Sequence, residues 1–204
     1  LKVYDELIQG TDEWLRVRAG KFTASKDFQQ LVSGRADTYQ KLIRLKAAEK
    51  ITGQLKLNDF TNGHIERGKE LEQEAREAFE MEAGLSIRQV GFVENDEWSG
   101  ASPDGFIGDD MGIEIKCRDI DTHLECFLSG YDKSYKYQIQ GNLWVTGRKQ
   151  WYFVSYNPYY AHIGKHLYKE IIERDESLIS QIENGVKKGI DDVKRMIKLM
   201  EGLK

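Results

Sequence analysis

Cysteine and proline are nearly missing from this chain: its 204 residues hold two of each. Cys117 and Cys126 have neither a CxxC neighbour nor a histidine at zinc spacing, which argues against a zinc site. With two prolines, no Ser/Gly-rich linker, no internal repeat and no low-complexity tract, nothing marks a domain boundary. A single domain over residues 1–204 is expected, long enough for a sizeable core. No apolar run is long enough to span a membrane, and the opening Leu1-Lys2-Val3-Tyr4-Asp5-Glu6 lacks signal-peptide character. A basic excess is missing too, since the formal net charge is −4. That argues against a general polyanion-coating protein, but not against basic residues gathered in one groove. The expectation is a reducing, cytoplasmic protein with no membrane partner.

What is present centres on residues 102–116, SPDGFIGDDMGIEIK. Asp104 sits in a Ser-Pro-Asp-Gly turn. Gly112-Ile113-Glu114-Ile115-Lys116 alternates apolar and polar residues, the pattern of a half-buried strand. Glu114 and Lys116 then share one face, with Ile113, Ile115 and by continuation Cys117 on the other. If the chain turns back near Gly105–Gly108, Asp104 lands beside Glu114. Two converging carboxylates repel unless a cation lies between them, and carboxylate oxygens plus water suit Mg²⁺. A lysine beside that ion can have a lowered pKa and take a proton from water. Each piece alone reads more simply as an ordinary turn or an edge strand.

The flanking chain supplies further candidates. Thr11 caps a short helix whose first turn carries Asp12 and Glu13, ended by Gly20. Ser25 is placed as N-cap of a helix over Lys26–Val32. Arg18 between two helix starts makes a candidate phosphate site, although capping alone explains the pattern. A helix over 39–52 closes at Gly53, a polar loop covers 54–62, and a long helix runs from about Asn62 to Glu82, stopped by Gly84. At about 100° per residue Glu66, Glu70, Glu77 and Glu80 face away from the apolar stripe; Glu82 drifts toward it in the last turn, where it can reach solvent, and Glu72 falls on the buried side and needs a partner or a metal. Residues 85–93 and 98–101 read as strands, 119–129 as a short helix or loop, and 134–145 as a helix with Gln140 on its core face. A hydrogen bond from Gln140 to a sheet edge serves equally well there. Residues 150–156, QWYFVSY, read as a central strand covered on both faces. From about Lys169 an amphipathic helical region extends to the C-terminus, with Gly185 and Gly189 as candidate breaks.

Asp104 with Glu114-Ile115-Lys116 looks like the PD-(D/E)xK nuclease motif, which is weak by itself. Five blocks in order are more specific: WLRVRAGKFTAS (14–25), GKELE (68–72), SPDG (102–105), EIKC (114–117) and QIQGNLWVT (138–146). Over about residues 9–176 the chain resembles the phage λ exonuclease family, also called YqaJ-type viral recombinases. The resemblance implies an α/β fold with a restriction-endonuclease-like core, a mixed central sheet flanked by helices. It implies a 5′→3′ exonuclease that needs Mg²⁺, with Mn²⁺ as a substitute. Such an enzyme degrades one strand of linear duplex DNA and leaves a 3′ single strand for recombination. By position, Asp104, Glu114 and the carbonyl of Ile115 would hold one Mg²⁺, and Glu72 would help hold a second. Lys116 would orient or deprotonate the attacking water, assisted by Gln140. Arg18, Ser25 and Ser102 would grip a 5′-phosphate, and Ile65 would face the DNA end. The family also implies a trimeric ring, a single-strand annealing protein as partner and a phage or prophage source. Other readings are a structure-specific or Cas4-like endonuclease, a DNA-binding module without catalysis, and a structural phage protein. Two cysteines are too few for the iron–sulfur cluster of the Cas4-like type. A missing acid or lysine would be expected of the binding module, and an outward Glu72 of the structural protein.

Overall fold

The computed structural model describes residues 1–54 and 64–203, the side chains of 64–70 excepted. The loop expected over 54–62 and the side chain of Ile65 thus fall almost wholly outside the described residues. In chain order the elements are β1 (Lys2–Tyr4), α1 (Asp12–Arg18), β2 (Phe22–Thr23), α2 (Asp27–Ser33), α3 (Ala36–Thr52), α4 (His64–Ala83), β3 (Phe92–Glu94), β4 (Ser99–Ala101), β5 (Gly105–Ile107), β6 (Met111–Cys117), α5 (Ile120–Ser129), α6 (Lys136–Thr146), β7 (Gln150–Tyr156), β8 (Leu167–Glu173) and α7 (Glu176–Glu201). Short 3₁₀ turns precede α6 and follow β7.

The expected α/β fold with mixed sheet flanked by helices forms, its strands arranged as two four-stranded mixed sheets in the orders β1-β3-β4-β2 and β5-β6-β7-β8. The apolar run of β7 is central, parallel to β6 and antiparallel to β8. Glu114 pairs with Phe153 and Ile115 with Val154, so strand alternation sorts the two faces. Gly112, Glu114 and Lys116 share a face with Trp151, Phe153 and Ser155. On the other face Ile113 and Ile115 pack under Ala75 and Phe79 of α4, with Cys117 at the margin of that cluster. Trp151 and Phe153 instead belong to the larger core shared with α2, α3, α6 and α7. Helix α7 buries Leu178, Ile179, Ile182, Val186, Gly189 and Val193, one stripe at helical spacing.

Three expectations change. Residues 85–91 contribute a single bridge, Arg88 to Phe106, rather than a strand. The segment 167–173 is β8, and the C-terminal helix starts only at Glu176, capped by Asp175. The charges of β8 imitate a helix surface, but on an edge strand they are tolerated and block further pairing. Gly185 and Gly189 do not break α7; a Cβ on Gly189 would lie 2.9 Å from Leu31 Cδ2 and 3.0 Å from Phe22 Cζ, so these glycines let α7 approach α2 closely. Among the described residues, no helix is long and apolar enough to cross a membrane.

Gly112 has a similar reason. A Cβ there would lie 2.2 Å from the buried Trp151 ring. Gly112→Ala is therefore expected to destabilise the fold by about 1–3 kcal/mol through overpacking. A urea melt should show a lower midpoint with an unchanged slope; an unchanged midpoint would show that the ring has room to move.

Candidate active site

Strand β5 pairs with β6 only as far as Gly105 opposite Ile113. Beyond that point one edge of β6 has lost its neighbour, and its backbone groups need partners. Asp104, just before β5, supplies one: its Oδ2 accepts the Ile115 N–H at 2.6 Å. In an extended strand the N–H and C=O of a residue point to the same edge, so the Ile115 carbonyl lies on the Asp104 side.

Glu114 projects from the same stretch toward α6 and is 1% exposed. Its Oε1 accepts from Lys116 Nζ at 2.5 Å and from Gln138 Nε2 at 2.6 Å, and its Oε2 accepts from Asn142 Nδ2 at 3.1 Å. Burial, then the nearby Asp104 charge, pushes the Glu114 carboxyl up to about 7, against the pull of Lys116 and Asn142. Burial also raises Asp104, against Lys116, the Ile115 N–H and Arg76. For Lys116, burial favours the neutral amine, but Glu114 and Asp104 outweigh it and the pKa is raised. The lowering expected of Lys116 belongs beside a bound cation; beside these two carboxylates alone the charged amine is favoured.

Glu72 comes from α4, one turn before the Ala75 and Phe79 contacts. Its carboxylate is partly exposed and accepts from Arg76 Nη2 at 2.9 Å. Burial and the Asp104 charge raise its pKa, and Arg76 and Lys116 oppose this. Glu72, Arg76, Asp104, Ile115 and Lys116 line one cleft of about 800 Å³. Its far wall is the segment 5–10, which no sequence pattern placed there. Gln9 Nε2 pins that segment to the carbonyls of Val90 at 3.1 Å and Pro103 at 3.0 Å. Cys117 also lines the cleft; burial, then Glu72 and Asp104, pushes its thiol up to about 12.

The donor set suits a hard dication. Two carboxylates held near each other at unfavourable cost, plus a free-edge carbonyl, match the oxygen ligands of Mg²⁺, which keeps several waters. Among the described residues, no three His, Cys, Asp or Glu side chains cluster closely enough to form a closed metal cage.

Gln140 is not at this centre. Its Nε2 donates to the Glu173 carbonyl at 2.8 Å and its Oε1 accepts from the Asp175 N–H at 2.8 Å, which ties α6 to the β8–α7 connection. Residues two apart on a helix lie about 200° apart, so Gln138 and Gln140 cannot both face Glu114. The side chains that do are Gln138 and Asn142, four apart on one helix face, a spacing the sequence does contain.

The three expected phosphate residues come together. Arg18 Nη1 donates to Ser102 Oγ at 2.6 Å, and Nη2 to Thr23 Oγ1 at 3.4 Å. Thr23 Oγ1 is in turn 3.4 Å from Ser25 Oγ. Trp14, which also lines the cleft, supports the group: its ring stacks on Arg18 at 4.0 Å and its Nε1 donates to Ser102 at 3.2 Å. Among the described residues, no carboxylate lies within 4.0 Å of the Arg18 guanidinium. Burial pushes Arg18 down to about 10, opposed by Asp27 and Glu49, and it stays charged at neutral pH. Ser25 is not a helix cap, however. Helix α2 begins at Asp27 with Lys26 in the cap position, and the Asp27 carboxylate already accepts the Thr23 N–H at 2.9 Å.

Comparison with known proteins follows this geometry. A model of the YqaJ-like viral recombinase domain matches residues 13–149. The crystal structure of an alkaline exonuclease, LHK-Exo, from Laribacter hongkongensis is 32% identical over 94% of this chain and 96% of its own, with a TM-score of 0.83. LHK-Exo in complex with dAMP gives a TM-score of 0.84 at the same identity and coverage. A phage related exonuclease from Haemophilus somnus 129PT is 21% identical, with 98% and 96% of the two chains covered and a TM-score of 0.64, a likeness of fold. None of the curated proteins matches. The matched region holds the carboxylate pair, Lys116 and the Arg18 cluster, and the chain belongs to the YqaJ-like viral recombinase domain family.

Proposed function

We propose that this protein is a Mg²⁺-dependent 5′→3′ exonuclease that degrades one strand of linear duplex DNA and leaves a 3′ single-stranded overhang for recombination. One observation carries the reading. A guanidinium with no carboxylate partner among the described residues is bonded to Ser102, two residues of backbone from the Asp104 of the carboxylate pair, and Asp104 lines one cleft with Trp14, whose ring stacks on that guanidinium. The first suits an anion and the second a cation, so the pairing suits a terminal phosphate on one side and a metal-assisted hydrolysis on the other. The similarity to an alkaline exonuclease along nearly the whole chain supports the same reading.

In this reading Asp104, Glu114 and the Ile115 carbonyl would hold the metal, and Glu72 would help hold a second ion. When bound, the metal lowers the pKa of water and stabilises charge on the phosphate oxygens. The chain's own groups do the rest. Lys116 would orient the attacking water or take its proton. Gln138 and Asn142 hold both Glu114 oxygens. Arg18, Ser102, Thr23 and Ser25 grip the 5′-phosphate through a planar donor fork and three hydroxyls. Assembly as a trimeric ring, and transfer of the 3′ strand to a single-strand annealing protein, belong to the same reading and rest on the family alone.

The direct test is a linear duplex labelled separately at each end, with Mg²⁺ or with EDTA. Release of 5′ label first, and only with metal, is expected; 3′ label first, or digestion in EDTA, would reject the proposal. Lys116→Ala should lower the single-turnover rate about 10²–10⁴-fold while calorimetric Mg²⁺ binding persists. Lost metal binding would instead make the lysine part of the metal site's scaffold. Wild type should cut 5′-phosphorylated duplex faster than 5′-hydroxyl duplex, and Arg18→Ala should shrink that preference by roughly 1.5–3 kcal/mol of transition-state binding. Initial rates on the two duplexes decide this, and an unchanged preference in the mutant removes Arg18 from end recognition.

A further inference from the structure

The cleft holds another guanidinium whose placement neither fold stability nor the proposed chemistry accounts for. Arg76 lies one helical turn after Glu72 on α4 and is 8% exposed. Its Nη2 donates to Glu72 Oε1 at 2.9 Å and its Nη1 to Gln73 Oε1 at 2.8 Å. Glu72, Gln73 and Arg76 thus form one fork on a single helix, and two side chains fix the guanidinium plane. The remaining nitrogen, Nε, is buried with no partner among the described residues. Burying a guanidinium with an unmatched donor is unfavourable, and a surface Arg on an amphipathic helix would avoid that cost by extending into water.

Glu72 has the opposite problem. Its carboxylate is 37% exposed, and a flexible glutamate at a cleft mouth would ordinarily swing into solvent. Arg76 holds one oxygen, and Oε2 takes no hydrogen bond from the described residues. We propose that Arg76 is a positioning residue that fixes the Glu72 carboxylate at the cleft, so that the two side chains act as one unit in metal binding. This rests on the reading that Glu72 faces a metal ion. Carboxylate ligands are commonly held by such an outer partner, and its loss costs about 10–100-fold in metal affinity or activity. The two-point grip on Glu72 and Gln73 needs the planar fork of arginine; a lysine ammonium is a single point charge.

A double-mutant cycle tests this with Mg²⁺ alone as the probe. Calorimetric Mg²⁺ binding and the Mg²⁺ half-saturation of cleavage are measured for wild type, R76A, R76K, E72Q and E72Q/R76A, with thermal melts alongside. Expected are a shift of about 10–100-fold to weaker Mg²⁺ binding in R76A, little rescue by R76K, and almost no further shift when R76A is added to E72Q. Shifts that multiply as for independent sites would overturn the proposal, as would wild-type Mg²⁺ binding in R76A. Should R76A unfold, R76K carries the test, and wild-type Mg²⁺ affinity in R76K overturns it. A wild type that binds Mg²⁺ but does not cut DNA rejects the exonuclease reading and leaves the cycle to decide the coupling of Arg76 to Glu72. A wild type that binds no Mg²⁺ rejects both.

Discussion

The hydrogen bond from the Ile115 N–H to the Asp104 carboxylate is the constraint on which the site depends. Strand β5 stops early, so β6 offers a bare edge at the point where Glu114 leaves it. Asp104 closes that edge and in doing so stands beside a second acid. Neither carboxylate is comfortable: burial raises both, and the Asp104 charge raises Glu114 further. The surroundings hold the pair in place. Lys116 supplies charge and α6 supplies two amides on the inner side, while α4 presses Ala75 and Phe79 onto the opposite face of the same strand. A short strand, a turn aspartate and two packed helices therefore concentrate negative charge in a place where a solvent-facing hairpin would disperse it.

Local patterns were legible in the sequence because the forces that make them are local. Alternation placed Glu114 and Lys116 on one face, and Thr11 and Gly53 marked helix ends by capping and by a left-handed backbone. Glu72 was legible as an acid on the wrong side of a helix. Whatever depended on distant partners was not. Gln138 and Gln140 differ only in which neighbour each meets, a matter decided by how α6 packs. Ser25 has the look of a cap, but Asp27 satisfies the local backbone first. Lys169, Glu170 and Glu173 suggest a helix surface until β8 is known to be the edge strand beside β7. Nothing in the sequence singles out Arg76, because its fork to Glu72 and Gln73 shows only in three dimensions.

Arg18 and Arg76 divide the work of positive charge in a chain whose net charge is negative. Arg18 is surrounded by hydroxyls and an indole, none of which neutralises it, so its charge remains available to an incoming anion. Arg76 is paired with a carboxylate, and its charge is spent on keeping that carboxylate in place. The distinction lies in the partners, not in the residue type, and explains how an acidic protein can present a locally attractive site to a polyanion.

The wall formed by residues 5–10 has a consequence for how the molecule assembles. Tyr4 of β1 bonds Glu94 of β3 across 90 positions of sequence, and Gln9 reaches Pro103 across 94. Contacts between such distant segments close large loops, and their entropic cost slows folding. The hairpin that carries Asp104 and Glu114 closes over 11 positions and can form as soon as it emerges. The turn that sets Asp104 against β6 thus rests on local contacts, whereas the walled cleft rests on distant ones. A nascent or partly folded molecule would expose its acids to water without a walled site around them, and a chemistry that needs an enclosed cleft would have to wait until the first residues of the chain come back.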